Sequence, residues 1–194
     1  PYGSGSYRFT HPNGTKKAEG SRFCGANAGT FTWYFPDGKT EIKYDFNDVG
    51  YREGPYKRYH NNGTLTIDGH YANGDREGLW KYYYLTGEIK EQGSYKNDKK
   101  TGTWKYFFLN GDVEQIGDYM QDLPEGIWRW FYANKQIRLE EEYIDGFEEG
   151  PSVEYSETGD IIAEGKFIEG CKEGEWTYLV AVSYTHLRAH ETKA

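Results

Sequence analysis

The chain has 194 residues, a net charge of −8 and a pI near 5.2, and this acidic balance argues against nucleic acid, whose affinity rests on Lys and Arg neutralising phosphates. Leu, Ile, Val and Phe together number only 33, under the roughly 20% below which a charged chain tends toward disorder. Against that, 19 Tyr, 6 Trp and 10 Phe supply apolar surface at roughly 150–250 Å² per buried ring, while no apolar run approaches the ~20 residues of a membrane helix.

The predicted elements repeat. Glycines open successive units at Gly5, Gly29, Gly54, Gly78, Gly102, Gly126, Gly150 and Gly174, spaced by 24 residues except for 25 between Gly29 and Gly54. The first unit turns at Asn13-Gly14 and reaches a second glycine at Gly20. The second turns at Asp37-Gly38 and carries Tyr44 and Phe46; the third turns at Asn62-Gly63 and carries Gly69 and Tyr71. The fourth and fifth, with Thr86-Gly87 and Asn110-Gly111, carry Gly93 and Tyr95, then Gly117 and Tyr119. In the sixth, Lys135 replaces the turn glycine and Glu141 precedes Tyr143; the seventh has Thr158-Gly159, Gly165 and Phe167. The eighth begins with Gly174, Trp176 and Tyr178 and then loses the pattern.

Each unit reads as a β-hairpin, and Asn-Gly or Asp-Gly favours a two-residue turn with positive φ at both residues. Counting the opening glycine as +0, such a turn pairs +6 with +11, +3 with +14, +2 with +15 and +0 with +17. Arg8 then opposes Glu19, Lys57 opposes Asp68 and Arg129 opposes Glu140, the charge pairing expected across strands. Trp80 opposes Gly93 and Trp104 opposes Gly117, so a large ring is expected to cover each bare glycine. One face carries the aromatics at +2, +4, +6 and +17 with the aliphatic at +11. The other carries the charge pairs and one aromatic per unit at +5: Tyr34, Tyr59, Tyr83, Phe107, Phe131 and Tyr155. An all-β, elongated, single-layer antiparallel meander is expected over residues 5–178, without helix.

The pattern Gly-x-Trp-x-x-Tyr-Tyr-x-Asn-Gly followed by Gly-x-Tyr-x-Asn-Gly resembles the bacterial variant of the MORN repeat found in YwqK-family antitoxin-like proteins. Gly78 to Phe108 carries it most closely. The units at Gly5, Gly29 and Gly150 depart most, with Ser152 in place of the +2 aromatic and Cys24-Gly-Ala-Asn-Ala as an unusual link. The resemblance implies a stacked hairpin array used for protein association, and more distantly an antitoxin-like role or membrane-adjacent scaffolding.

Residues 179–194 follow no repeat, and Val182 to Thr192 reads as translated sequencing-adapter DNA rather than native structure. Pro1 in place of Met points to a missing N-terminal segment. Cys24 and Cys171 fall in distant repeats and are expected as free thiols, which suits a reducing compartment such as the cytoplasm. The carboxylates Glu140, Glu141 and Glu142 read as solvated strand charges, and Asp145-Gly-Phe-Glu-Glu149 as a polar turn lacking the ligand alternation of a calcium loop. His186 and His190 have metal-sharing spacing but no third ligand. Asn13-Gly-Thr15 and Asn62-Gly-Thr64 match a glycosylation acceptor, yet a turn followed by a strand explains them.

No catalytic residue, metal site or cofactor is expected. The stripe at +5 is the candidate partner-binding surface, since aromatics on an otherwise charged face suit docking; packing of the stripe on itself or on a second copy is the alternative. The expected function is a non-enzymatic scaffold for protein–protein interaction, with an acidic surface suited to a basic partner. A peripheral membrane or cell-surface module is the competing expectation, although attraction to anionic lipid needs basic clusters. A non-catalytic arm of a larger protein is the third.

Overall fold

Alternation of ring-bearing and polar residues between turns produces strands throughout residues 3–179, the part of the chain that the computed structural model describes. The strands are β1 (Gly5–Thr10), β2 (Lys16–Phe23), β3 (Ala26–Tyr34), β4 (Thr40–Phe46), β5 (Arg52–Tyr59), β6 (Leu65–Ala72), β7 (Asp75–Arg76) and β8 (Gly78–Tyr83). They continue as β9 (Ile89–Lys96), β10 (Lys99–Phe107), β11 (Val113–Met120), β12 (Leu123–Phe131), β13 (Ile137–Ile144), β14 (Phe147–Tyr155), β15 (Ile161–Ile168) and β16 (Cys171–Tyr178). All sixteen form one antiparallel sheet in chain order, with the two-residue β7 pairing beside β8 on β6. Among the described residues there is no helix. The expected tail over 179–194 lies, but for Leu179, outside the described residues, as do His186 and His190.

Within the hairpins most of the expected register is present. Gly78 pairs with Tyr95, Trp80 with Gly93, Gly102 with Tyr119 and Trp104 with Gly117. Arg8 faces Glu19, Lys57 faces Asp68 and Arg129 faces Glu140.

The turn itself differs from expectation. Tyr84 N donates to Glu88 O at 2.8 Å and Gly87 N to Tyr84 O at 3.0 Å, closing a loop of three residues rather than two. Only the last of the three has positive φ, as at Gly87, Gly111 and, without glycine, Lys135; this is the turn-plus-bulge hairpin loop. Consequently +5, not +6, pairs with +11, as Tyr83 does with Ile89 and Phe107 with Val113. One residue farther from the turn a bulge lets +4 pair with +13, as Tyr82 does with Glu91. The longer loop removes one residue from the count and the bulge restores it, so every pair beyond falls where a two-residue turn would have put it.

The two-residue turns with positive φ at both positions lie instead between units. Asn97-Asp98 joins β9 to β10 and Gln121-Asp122 joins β11 to β12, all four residues with φ between 50° and 73°. The single 25-residue unit has its extra residue at such a link, where Asn47 N to Tyr51 O closes the three-residue loop Asp48-Val49-Gly50.

The opening glycine bends one hairpin onto the one before. Thr101 pairs with Ser94 and Lys105 with Gln92, so Gly102-Thr103-Trp104 oppose the single residue Gly93. Gly102 has φ +61°, a left-handed conformation that opens this bulge cheaply only for glycine. The extra length lays Trp104 flat across Gly93, where a Cβ would meet the indole at 2.2 Å. The same geometry sets Trp80 over Gly69 and Trp128 over Gly117. Trp80 therefore pairs in register with Gly93, as expected, but its ring covers the glycine of the preceding hairpin, contrary to expectation. Each indole also donates backward to a carbonyl, Trp80 to His70, Trp104 to Ser94 and Trp128 to Asp118, at 3.1–3.2 Å.

These rings make the core. Trp104 is wholly buried and sits among Trp80, Tyr95, Tyr106 and Tyr119. Edge-to-face pairs run along the array, Tyr71–Trp80 at 5.2 Å, Tyr95–Trp104 at 5.1 Å and Tyr119–Trp128 at 5.0 Å. Two interfaces depart together at both positions. Where Tyr44 replaces the glycine, the facing residue is Tyr56 and the rings stack at 6.1 Å. Where Glu141 replaces it, the facing residue is the buried Ser152, whose hydroxyl donates to Glu141 at 2.9 Å.

Candidate partner-binding surface

Residues at +3, +5 and +14 share the face opposite the tryptophans, because side chains alternate along a strand. The six stripe residues Tyr34, Tyr59, Tyr83, Phe107, Phe131 and Tyr155 all occupy that face, each half-buried. The turn geometry adds a second row that sequence reasoning placed on the wrong face. Because +11 pairs with +5, Leu65, Ile89, Val113, Ile137 and Ile161 lie beside Tyr59, Tyr83, Phe107, Phe131 and Tyr155. The surface is thus an aromatic stripe lined by aliphatics, with charge pairs on its flank.

The stripe also reaches back to the preceding hairpin. The Tyr34 hydroxyl donates to Glu19, and the Lys16 ammonium sits 5.0 Å from the Tyr34 ring centre. The Tyr34 bond, helped by Lys16, holds the Glu19 carboxyl below its ordinary range; the same bond and partial burial raise the Tyr34 phenol. Burial, then the charge of Asp68, raises the Tyr83 phenol. The +6 side chains stitch forward: Tyr84 donates to Phe107 O and Tyr132 to Tyr155 O, both at 2.7 Å.

On the tryptophan face, sequence reasoning missed a row of cations two residues before the opening glycine. Arg76 stands 3.8 Å from the Tyr95 ring centre, and Lys100 stands 4.0 Å from that of Trp104 and 4.9 Å from that of Tyr119. Their signal was present as Arg52, Arg76, Lys100 and Lys172, all in one register. Burial lowers the Lys100 ammonium and raises the Tyr95, Tyr106 and Tyr143 phenols well above their ordinary range.

The remaining sequence candidates take ordinary places. Glu140 pairs with Arg129 at 2.6 Å on one face, while Glu141 accepts from Ser152 and Tyr143 on the other. Asp145-Gly146 is a link turn between β13 and β14. Asn13 and Asn62 each accept the backbone N–H of a threonine two residues on, Thr15 and Thr64. Cys24 and Cys171 are free and exposed.

Register, turns and stitched interfaces define a tandem β-hairpin repeat protein in which each hairpin is one copy of a 24-residue unit. The sequence model of the MORN repeat variant matches residues 28–48, 52–73, 76–97, 100–121 and 124–145, and the chain belongs to this family. Each matched stretch is one hairpin; β1–β2 and β14–β15 lie outside the matches and keep the same pairing. No curated protein matches the chain. MORN repeats commonly bind proteins or membranes and are generally non-catalytic.

Proposed function

We propose that this chain is a non-enzymatic scaffold that holds a protein partner on the outer stripe. The observation that supports it is the row of six half-buried rings at one register position, each but Tyr34 beside an aliphatic neighbour. Aromatics that are partly covered and fixed by a strand lose little entropy when a partner covers the rest. An antitoxin-like role, neutralising a basic protein, is the narrower form of this reading, favoured only by the net charge of −8.

Replacing Tyr83 and Phe107 together with Ser tests it. Capture of partner from a native extract is expected to be lost while the β circular dichroism is retained. Loss of folding in that variant would assign the stripe to the core and remove the proposal's support. Peripheral membrane scaffolding is the second reading, favoured by the family's known membrane-binding members. Salt-sensitive sedimentation of the array with anionic vesicles, unchanged in the Ser variant, would favour it over the stripe.

A further inference from the structure

The link turns carry a second surface. In each two-residue link the residues at +18 and +21 pair across the turn on the outer face, as Met120 does with Leu123, Ile144 with Phe147 and Ile168 with Cys171. Met120, Leu123, Ile144, Phe147 and Ile168 are each between 40% and 58% exposed. Leu123 leans against the next turn, its Cδ2 3.1 Å from where a Cβ of Gly146 would stand, and Phe147 leans likewise on Gly170. The result is a continuous apolar ridge across three links. Beside it runs an open groove of about 640 Å³ lined by Ile144, Asp145, Phe147, Glu149, Ile168 and Glu169.

The fold does not require this ridge. Of the preceding two-residue links, the first holds Phe23 with Ala26, but the two nearest the ridge hold Ala72 with Asp75 and Lys96 with Lys99, in the same turn geometry. The apolar residues at the C-terminal links are therefore surplus to folding, and exposed apolar continuity of this kind marks a contact surface.

Charge is distributed unevenly in the same direction. Residues 121–178 hold fifteen Asp and Glu against five Lys and Arg, whereas residues 1–120 hold fifteen against sixteen. The net negative charge of the molecule thus falls in the segment that carries the ridge. Asp145 and Glu169, at the tips of two of its turns, form no side-chain hydrogen bond or ion pair among the described residues.

Spacing selects the shape of the occupant. Equivalent residues in successive links are two strands apart, about 9.6 Å. An α-helix laid along the array presents residues i and i+7 on one face about 10.5 Å apart. An extended segment has no match, since i+3 falls on its other face and i+2 or i+4 fall at about 6.8 or 13.6 Å.

We infer that the ridge Met120–Leu123–Ile144–Phe147–Ile168 docks a basic amphipathic helix of a protein partner, its apolar stripe on the ridge and its Lys and Arg against Asp145, Glu169 and neighbouring carboxylates. This rests on the scaffold reading only in taking a protein as the occupant, and it uses a different surface from the stripe.

The test is fluorescence anisotropy with a labelled synthetic amphipathic peptide of Leu, Ala and Lys, about five helical turns long, and a scrambled peptide of the same composition. The full chain is compared with Ile144→Lys/Phe147→Lys, which copies Lys96 and Lys99 and so suits the turn, and with Asp145→Asn/Glu169→Gln. The amphipathic peptide is expected to bind the full chain and to bind the Lys variant about tenfold or more weakly, as for loss of a central anchor. The amide variant is expected to bind with reduced salt dependence, and Tyr83→Ser/Phe107→Ser to bind unchanged. Equal affinity for both peptides, or for the full chain and the Lys variant, would overturn the proposal. Binding lost only in the Tyr83/Phe107 variant would also overturn it, and would leave the stripe reading standing. A concentration-dependent dimer, or vesicle binding, abolished by the Lys variant would place a second copy or a membrane on the ridge and refute the helix.

Discussion

Glycine has two separate tasks in most units, and they fail differently. Gly93 is there because Trp104 occupies the space of its missing side chain; Gly102 is there for its φ of +61°, with nothing within 4 Å of its absent Cβ. Gly93→Ala forces a methyl into an indole ring inside a ladder that cannot part, and is expected to cost about 3 kcal/mol or more. Gly102→Ala adds only the strain of a left-handed alanine, about 1–2 kcal/mol. Urea unfolding followed by tryptophan fluorescence measures both, and equal losses would contradict the separation. The hairpin-turn glycine is a third case, and Lys135, with φ +72° in that position, shows that a left-handed residue there can carry a side chain.

At the scale of the hairpin, what couples neighbours is a matched pair, large ring against no side chain. Glu141 and Ser152 reverse the match, replacing ring-on-glycine with a hydrogen bond. Glu141→Gly alone is expected to leave a gap, and Ser152→Trp alone to drive an indole into the glutamate. Together they restore the arrangement at Gly117 and Trp128, and the double variant is expected to exceed the sum of the singles by about 1–3 kcal/mol in a thermodynamic cycle. Additive effects would mean the two positions do not meet.

Much of this element was legible in the amino-acid order. Period-two alternation and charge pairs placed Arg129 opposite Glu140 and Gly78 opposite Tyr95. The turn was not legible, because Asn-Gly suits both loop types, and the +12 bulge hides the difference from any count of residues. That bulge is also why the +11 aliphatics were assigned to the wrong face, leaving the candidate surface half read: its rings were visible and their neighbours were not. The ring-to-glycine partner was misassigned because the wide bulge at Gly102 is a contact between units, which pairing within one hairpin does not reveal. The links were legible as short polar joints in a continuous meander, as at Asn73-Gly74, but not as the two-residue turns with positive φ, since Gln121-Asp122 and Asn97-Asp98 lack a turn glycine.

Across the described residues, each hairpin packs mainly on the hairpins next to it in the chain, so stability is a sum of unit and interface terms rather than the property of one core. The interfaces through Trp80, Trp104 and Trp128 are uniform, whereas Glu141–Ser152 divides the ring ladder before Phe167 and Trp176. The acidic excess and the apolar ridge coincide with the C-terminal part of the array, so the molecule has a direction although its repeats do not.

The hairpins are joined by the +2 tryptophans Trp80, Trp104, Trp128 and Trp176, each lying over the glycine of the hairpin before it, and the Hα chemical shifts of Gly93 and Gly117 report this through the ring currents above them. In Trp104→Leu the upfield shift of Gly93 is expected to vanish while that of Gly117, under Trp128, persists. Loss of the Gly117 shift with Gly93 unmoved would put the ring within its own hairpin and contradict the way these units are joined.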